Sequence, residues 1–375
     1  MRMARIDEVA TIIMGQSPPG KSYNDVGDGL PFFQGKAEFG EINPTPKKWC
    51  SDPRRVAEQG DILMSVRAPV GPINVADGRC CIGRGLAAIR AVPNLMEQDF
   101  LRYFLKFSGE RLARLGQGST FAAIGRAQIA SLKVHLPELE EQRRIVDLLS
   151  RAEGIVRLRR EAQAKAAEII PALFLDMFGD PATNPKDWPR LPLGELGKLD
   201  RGKSRHRPRD AQELYDGPYP FIQTGDVTNS GGRITRYSQT YSELGLAQSR
   251  LWPAGTLCIT IAANIARTGV LCFDACFPDS IVGFTSGESV LTDYIQQWLG
   301  FLQPTLEANA PQAAQKNINL NILRSLPVPV PPLSLQSAFA NRTEIARAIT
   351  TRQTTALATA QAAFDGLLHR SFVFT

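Results

Sequence analysis

The chain has 375 residues and a hydrophobic content of 43%, enough for two or three domains with sizeable cores. No run of 18 apolar residues occurs, the short N-terminal apolar patch contains Asp7 and Glu8, and the six cysteines lack framework spacing; a membrane span, a signal peptide and a disulfide scaffold are all disfavoured, leaving a cytoplasmic protein with reduced thiols as the expectation. The net charge of +6 divides into +3 on each side of residue 187 (26 basic against 23 acidic, then 17 against 14), which suits two copies of one anion-binding module without demanding nucleic acid.

Residues 1–137 read as a β-rich, turn-rich stretch. The strand-like runs VATIIM, LPFFQG, GDILMSV and GLAAIRA lie between Gly and Pro clusters. Gly15 to Ser22 reads GQSPPGKS and satisfies the spacing of a nucleotide-phosphate loop. Pro18 and Pro19 lack the N–H groups that would cradle phosphate, and the following YNDVGDGLP is no helix start. An amphipathic helix is expected from Met96 to Leu115, then a short strand ending in IASLKVHLPELEEQ, Ile129 to Gln142.

Residues 138–180 carry a helical pattern. Ile145, Leu148, Ala152, Ile155, Ala162, Ala166, Ile169 and Leu173 alternate in steps of three and four, with Arg159 at one seam position; this is a coiled-coil rhythm. Pro171 is expected to interrupt it. The span from Glu138 to Ile169 corresponds to about 48 Å of helix, or roughly 14 base pairs of duplex rise.

Residues 185–331 return to β-rich character with YPFIQT, GTLCITI and VGFTSG, followed by a helix over roughly Thr292 to Ala308. A basic run, RGKSRHRPR, stands near the start. The stretch ends in LRSLPVPVPPLSLQ, Leu323 to Gln336, and residues 332–372 form a second long helical pattern. Its seam is expected at Phe339, Ala346, Ile349, Ala356 and Ala360, with Arg342 and Gln353 also on it and Gly366 weakening it near the end. The simplest packing is antiparallel against the first long helix; the alternative is that each helix covers its own domain.

The two halves are copies. Ser131, Leu132, Val134, Pro137, Leu139 and Gln142 match Ser325, Leu326, Val328, Pro331, Leu333 and Gln336 without a gap, 194 positions apart. Asp99-Phe100-Leu101 matches Asp293-Tyr294-Ile295 at the same offset. After small gaps, Pro31-Phe32-Phe33-Gln34 matches Pro220-Phe221-Ile222-Gln223, and Glu8 and Gly15 match Glu195 and Gly202. The fold class read from this is α+β: two β-rich domains in pseudo-twofold arrangement, joined by two long helices forming an antiparallel coiled coil.

Candidate contacts to anionic DNA are basic residues in turn-like contexts: Lys21, Lys36, Arg67, Arg84 and Arg126 in the first half, and Lys203, Arg205, Arg207, Arg233, Arg267 and Lys316 in the second. No nucleophile–base pair, metal-ligand set or glycine-rich cofactor loop is visible, so catalytic residues, metal and cofactor are all expected to be absent.

In the proline segments ending in Gln142 and Gln336, the helices after them, SVRAPVG at Ser65 to Gly71, ACFPDSIVGF at Ala275 to Phe284 and AQKNINLNIL at Ala314 to Leu323, the chain resembles a type I restriction–modification DNA-specificity subunit. The resemblance implies two target-recognition domains, each reading half of a split, asymmetric site on double-stranded DNA. It implies that the long helices set the spacer and help dock two methyltransferase subunits, which would bind S-adenosylmethionine, with a restriction subunit as a further partner. The chain itself would then be non-enzymatic. A nucleotide-binding protein and a repeat-built protein–protein adaptor are the rival readings.

Overall fold

The computed structural model describes residues 2–115, 123–262, 264–308 and 318–373. The chain forms two compact units, one of Met1–Ala162 with Thr354–Thr375, the other of Gln163–Gln353. Each long helix contributes to both.

In the first unit the strand Arg2–Arg5 pairs antiparallel with Lys133–Leu136. The main sheet has four antiparallel strands in the order Ala10–Met14, Leu86–Ala91, Ile62–Ser65, Ile73–Val75. Its central strands are buried along nearly their whole length, with Arg90 the exposed exception, because both faces are covered. Side chains alternate across the pleat. Ile62, Met64, Ala87 and Ile89 pack toward the helix Gln98–Arg114 through Phe100, Leu101, Phe104 and Leu105. Leu63, Leu86 and Ala88 face the other way, onto Phe33, Ala57, Cys80 and Ile82. Those last four belong to a second sheet of short strands, ordered Tyr23–Asn24, Lys48–Cys50, Leu30–Phe33, Cys80–Ile82, Val56–Ala57.

The second unit repeats this plan. Arg190–Pro192 pairs with Pro327–Pro329. The main sheet runs Gly197–Arg201, Ile281–Ser286, Leu257–Thr260, Thr268–Leu271, with Arg233–Ile234 added in parallel at the edge. Leu257, Ile259, Val282 and Phe284 pack toward the helix Thr292–Ala308 through Tyr294, Ile295, Trp298 and Leu299. Cys258 and Ile281 point the other way, to Ile222, Trp252 and Phe277. A separate ribbon pairs Tyr215–Phe221 with Gln239–Tyr241, and Phe221 stacks on Tyr241 with ring centroids 4.0 Å apart.

The repeat is kept in the helix boundaries. Gln98–Arg114 and Leu139–Phe178 recur as Thr292–Ala308 and Leu333–Phe372, each displaced by the same 194 positions as the sequence match. The matched glutamines show why. Gln142 and Gln336 are both 0% exposed. Gln142 Oε1 accepts from Glu97 N (2.8 Å), and its Nε2 donates to Leu95 O (3.1 Å) and Pro137 O (2.9 Å). Gln336 accepts from Leu291 N (2.8 Å) and donates to Ser289 O (3.1 Å) and Pro331 O (2.8 Å). One primary amide thus satisfies three buried backbone groups and ties the start of each long helix to the turn before the shorter one. The matched glycines have a steric cause. A Cβ at Gly15 would lie 2.2 Å from Gly83 O, and one at Gly202 would lie 2.3 Å from Phe277 O.

Within each unit the long helices run antiparallel. In the first, Ile145, Leu149, Ala152 and Val156 share a core with Leu357, Ala360, Phe364 and Leu368. In the second, Phe174 and Phe178 pack on Phe339 at 5.7 and 5.2 Å, and Thr350 Oγ1 donates to Ala166 O (3.3 Å). Four expected apolar seam residues, Leu148, Ile155, Ile169 and Ile349, are exposed. Leu148 and Ile155 are 49% and 52% exposed, while their neighbours Leu149 and Val156 are buried. The sequence is apolar at both members of each pair, and the face that meets Phe100 and Tyr103 is the one at 149 and 156. Ile349 is 37% exposed, because the contact there is made by smaller residues, Thr343, Ala346 and Thr350. Ala166, Phe339 and Ala346 are buried, and Ala162, Ala356 and Ala360 are half-buried. Pro171 does not break the first long helix, which continues to Phe178 and ends at Gly179 (φ +82°), where Gly179 N caps Leu175 O. Gly366 likewise leaves the second helix intact.

One helix contact has opposite polarity in the two units. Glu153 accepts from Lys106 Nζ (2.5 Å), Arg102 (3.1 Å) and the Tyr103 hydroxyl (3.0 Å). Its repeat counterpart 194 positions on is Arg347, which pairs with Asp293 (2.9 Å).

Candidate nucleic-acid interface

In the first unit, three of the nominated cations converge. Lys36, Arg67 and Arg84 line a cleft of about 640 Å³ together with Gln34, Glu38 and Ser65. Three backbone segments are tied together to make it. Val66 N donates to Gly85 O (2.9 Å) and Gly83 N to Phe33 O (2.8 Å). The glycines flanking Arg84 allow this approach, since a Cβ at Gly85 would lie 2.1 Å from Gln34 O. The Arg67 turn is pinned by Ser65 Oγ, which donates to Arg67 O (3.0 Å), and by Gly71 N, which donates to Ser65 O (3.0 Å). Glu38 spends its carboxylate on the Gln34 and Gly35 N–H groups (3.3 and 3.0 Å). Lys36, Arg67 and Arg84 are exposed, and none has a carboxylate partner within ion-pair distance among the described residues. Uncommitted cations on rigid, tightly bonded turns are what a polyanion reader needs.

Lys21 and Arg126 are exposed but do not line this cleft. Lys21 sits in the turn Gly20–Ser22. That turn is not a nucleotide loop. Ser22 Oγ is buried and donates to Pro19 O (2.7 Å), the Tyr23 hydroxyl donates to Pro18 O (2.9 Å), and a two-residue strand follows where a helix would be required.

The second unit places its cations differently. Lys203, Arg205 and Arg207 lie on the loop after the strand Gly197–Arg201, all exposed. This loop is laid against the segment 277–281 by Gly202 N to Ile281 O (2.9 Å) and Lys203 N to Phe277 O (3.1 Å). Gln248 Oε1 accepts from the His206 backbone N–H (3.1 Å), Arg207 Nη1 donates to Ser204 O (2.9 Å), and Arg209 pairs with Asp279 (2.9 Å). Arg267 is exposed and lines a groove with Gln296, Gln303 and Arg347. Arg233, by contrast, is held in ion pairs. Its guanidinium pairs with Asp293 (2.7 Å) and Glu344 (3.0 Å), bracing the edge strand against the helices. Lys316 lies outside the described residues.

Sequence reasoning missed Gln34 as a cleft residue, although PFFQ and PFIQ were among the matched strings. It also missed Glu38 as the cap that stiffens the Lys36 turn. Burial pushes the thiols of Cys80 and Cys81 up to about 12, which keeps both protonated near neutral pH. Among the described residues no group of three or more His, Cys, Asp or Glu is placed to hold a metal, and no helix is long and apolar enough to cross a membrane.

A type I restriction enzyme MjaX specificity subunit of Methanocaldococcus jannaschii is 45% identical over 150 residues, 40% of this chain and 35% of that protein. The type I restriction enzyme MjaIX specificity subunit of the same organism is 24% identical over 277 residues, 66% of this chain and 62% of that protein. The matched segments therefore span less than two thirds of either relative. The crystal structure of a type I restriction–modification system S subunit from M. genitalium matches the fold over 100% of this chain and 96% of its own, with a TM-score of 0.55 at 16% identity. The family Type I restriction modification DNA specificity domain matches twice, at residues 1–166 and 185–354, the same duplication that the paired glutamines and helices display. The chain belongs to that family.

Proposed function

We propose that this chain is the DNA-binding specificity subunit of a type I restriction–modification complex, in which each unit reads one half of a bipartite, asymmetric duplex site. The observation that carries this is the cleft of Lys36, Arg67 and Arg84, built on pinned turns within a duplicated specificity-family fold. The basic loop holding Lys203, Arg205 and Arg207 supports the same role for the second unit. The chain binds and positions; the chemistry on the base belongs to methyltransferase partners, and no catalytic group, metal or cofactor of its own is needed. The continuous 40-residue helices Leu139–Phe178 and Leu333–Phe372 fix the spacer between half-sites. The outward residues Leu148, Ile155 and Leu158 form an apolar stripe on the first of these helices and supply a docking face for a methyltransferase subunit.

The test is duplex binding by the full chain with its methyltransferase partner at graded salt. A sequence-selected site with two short specified tracts, and an affinity that falls steeply with salt, is the expected result. Weak, salt-insensitive or absent duplex binding would refute the reading and leave a protein–protein adaptor.

A further inference from the structure

The two units present different chemistry at three corresponding positions. The equivalence is set by hydrogen bonds as well as by sequence. Gly15 N bonds Leu86 O in the first unit and Gly202 N bonds Ile281 O in the second, so Arg84 corresponds to Asp279. Val66 N bonds Gly85 O and accepts Ile124 N at its carbonyl; Ile261 N bonds Ser280 O and accepts Ile318 N, so Arg67 corresponds to Ala262. The matched PFFQ and PFIQ strings put Lys36 opposite Gly225. Where the first unit has three cations, the second has an aspartate, an alanine and a glycine. Asp279 is moreover the partner of Arg209 at 2.9 Å.

A guanidinium on a fixed backbone has a preferred target in a DNA groove. It donates two parallel bonds to O6 and N7 of guanine, and a lysine ammonium lacks that fork. Phosphate contacts fix orientation and carry no sequence information directly, whereas base-edge contacts do. The Arg67 and Arg84 turns are joined by the 2.9 Å Val66–Gly85 bond, and the Arg84 turn carries glycines where a Cβ would strike Gln34. Such rigidity suits base reading.

We propose that Arg67 and Arg84 are specificity-determining residues that read guanine, so that the half-site bound by the first unit contains guanine positions fixed by these two side chains. The second unit, with Asp279 and Ala262 in their places, does not read its half-site by this contact. This rests on the chain being a DNA-specificity subunit.

The test is selection from a random duplex library by the full chain with its methyltransferase partner, comparing the unaltered protein with Arg67→Ala, Arg84→Ala and Arg84→Lys. Each alanine variant is expected to relax one guanine position by roughly 10- to 100-fold while leaving the other tract unchanged. Arg84→Lys, which keeps the charge but not the planar fork, is expected to keep the guanine preference in weakened form. Uniform weakening in Arg67→Ala or Arg84→Ala with an unaltered selected motif would overturn the guanine assignment and make these phosphate contacts, while DNA specificity itself would stand. An unaltered protein that selects no sequence would instead refute the proposed function.

Discussion

Replacing Gln142 with Ala deletes a side chain that is 0% exposed and makes three hydrogen bonds to backbone groups. Each such bond is worth about 1 kcal/mol net, and a buried partner left unpaired costs more, so about 3–5 kcal/mol of stability in the first unit should be lost. The damage is local: Glu97 N loses its acceptor, and Leu95 O and Pro137 O lose their donor. Hydrogen exchange should therefore show the Glu97 amide accelerated by roughly 100-fold or more, since every 1.4 kcal/mol is a factor of ten. Denaturant unfolding should show the matching loss of stability. Gln142→Glu keeps the shape but turns an oxygen toward two carbonyl oxygens, and it should be at least as harmful as the alanine. Gln336→Ala should do the same to its own three partners in the second unit. A loss under about 1 kcal/mol for either alanine variant would refute the claim that these amides hold the helix starts.

Gly15→Ala puts a methyl 2.2 Å from a backbone carbonyl and should cost about 1–3 kcal/mol in chemical denaturation, whereas Gly20→Ala, with nothing within 4 Å, should be tolerated. Burial opposes ionisation of Glu153, yet Lys106, Arg102 and Tyr103 outweigh it and hold its carboxyl below the ordinary glutamate value of 4.5. Its stabilising effect is therefore fully present above that value and lost as pH falls through the depressed one, so the gap in stability between the unaltered protein and Glu153→Gln should close on acidification below about pH 4.5. Lys21→Ala should leave DNA binding intact, and calorimetry should find no ATP binding in either protein.

The duplication was the most legible feature of the sequence, and it carried the fold. A residue hemmed in by backbone, such as Gln142, Gln336, Gly15 or Gly202, repeats because its neighbours are backbone atoms common to both units. The seam was only partly legible. At Leu148–Leu149 and Ile155–Val156 both residues are apolar, and periodicity alone does not choose between two faces one residue apart; the aromatic side chains of the Gln98–Arg114 helix do. Pro171 was misleading because helix packing on both sides offsets one lost backbone bond. In the candidate interface, Lys36, Arg67 and Arg84 lie in turns that the sequence marks, but their convergence depends on the pairings of Gly83 with Phe33 and of Val66 with Gly85, 50 and 19 residues apart in sequence, which composition does not encode. Arg233 looked the same in sequence and is committed to Asp293 and Glu344.

The central claim is that each unit reads its own tract of DNA. Footprinting the full chain with its methyltransferase partner on its selected duplex tests this most directly. Two short protected, sequence-specified tracts separated by a spacer of fixed length and free sequence are predicted, with alterations at Arg67 or Arg84 disturbing one tract only. A single continuous specified tract, or both tracts changing together, would contradict the account.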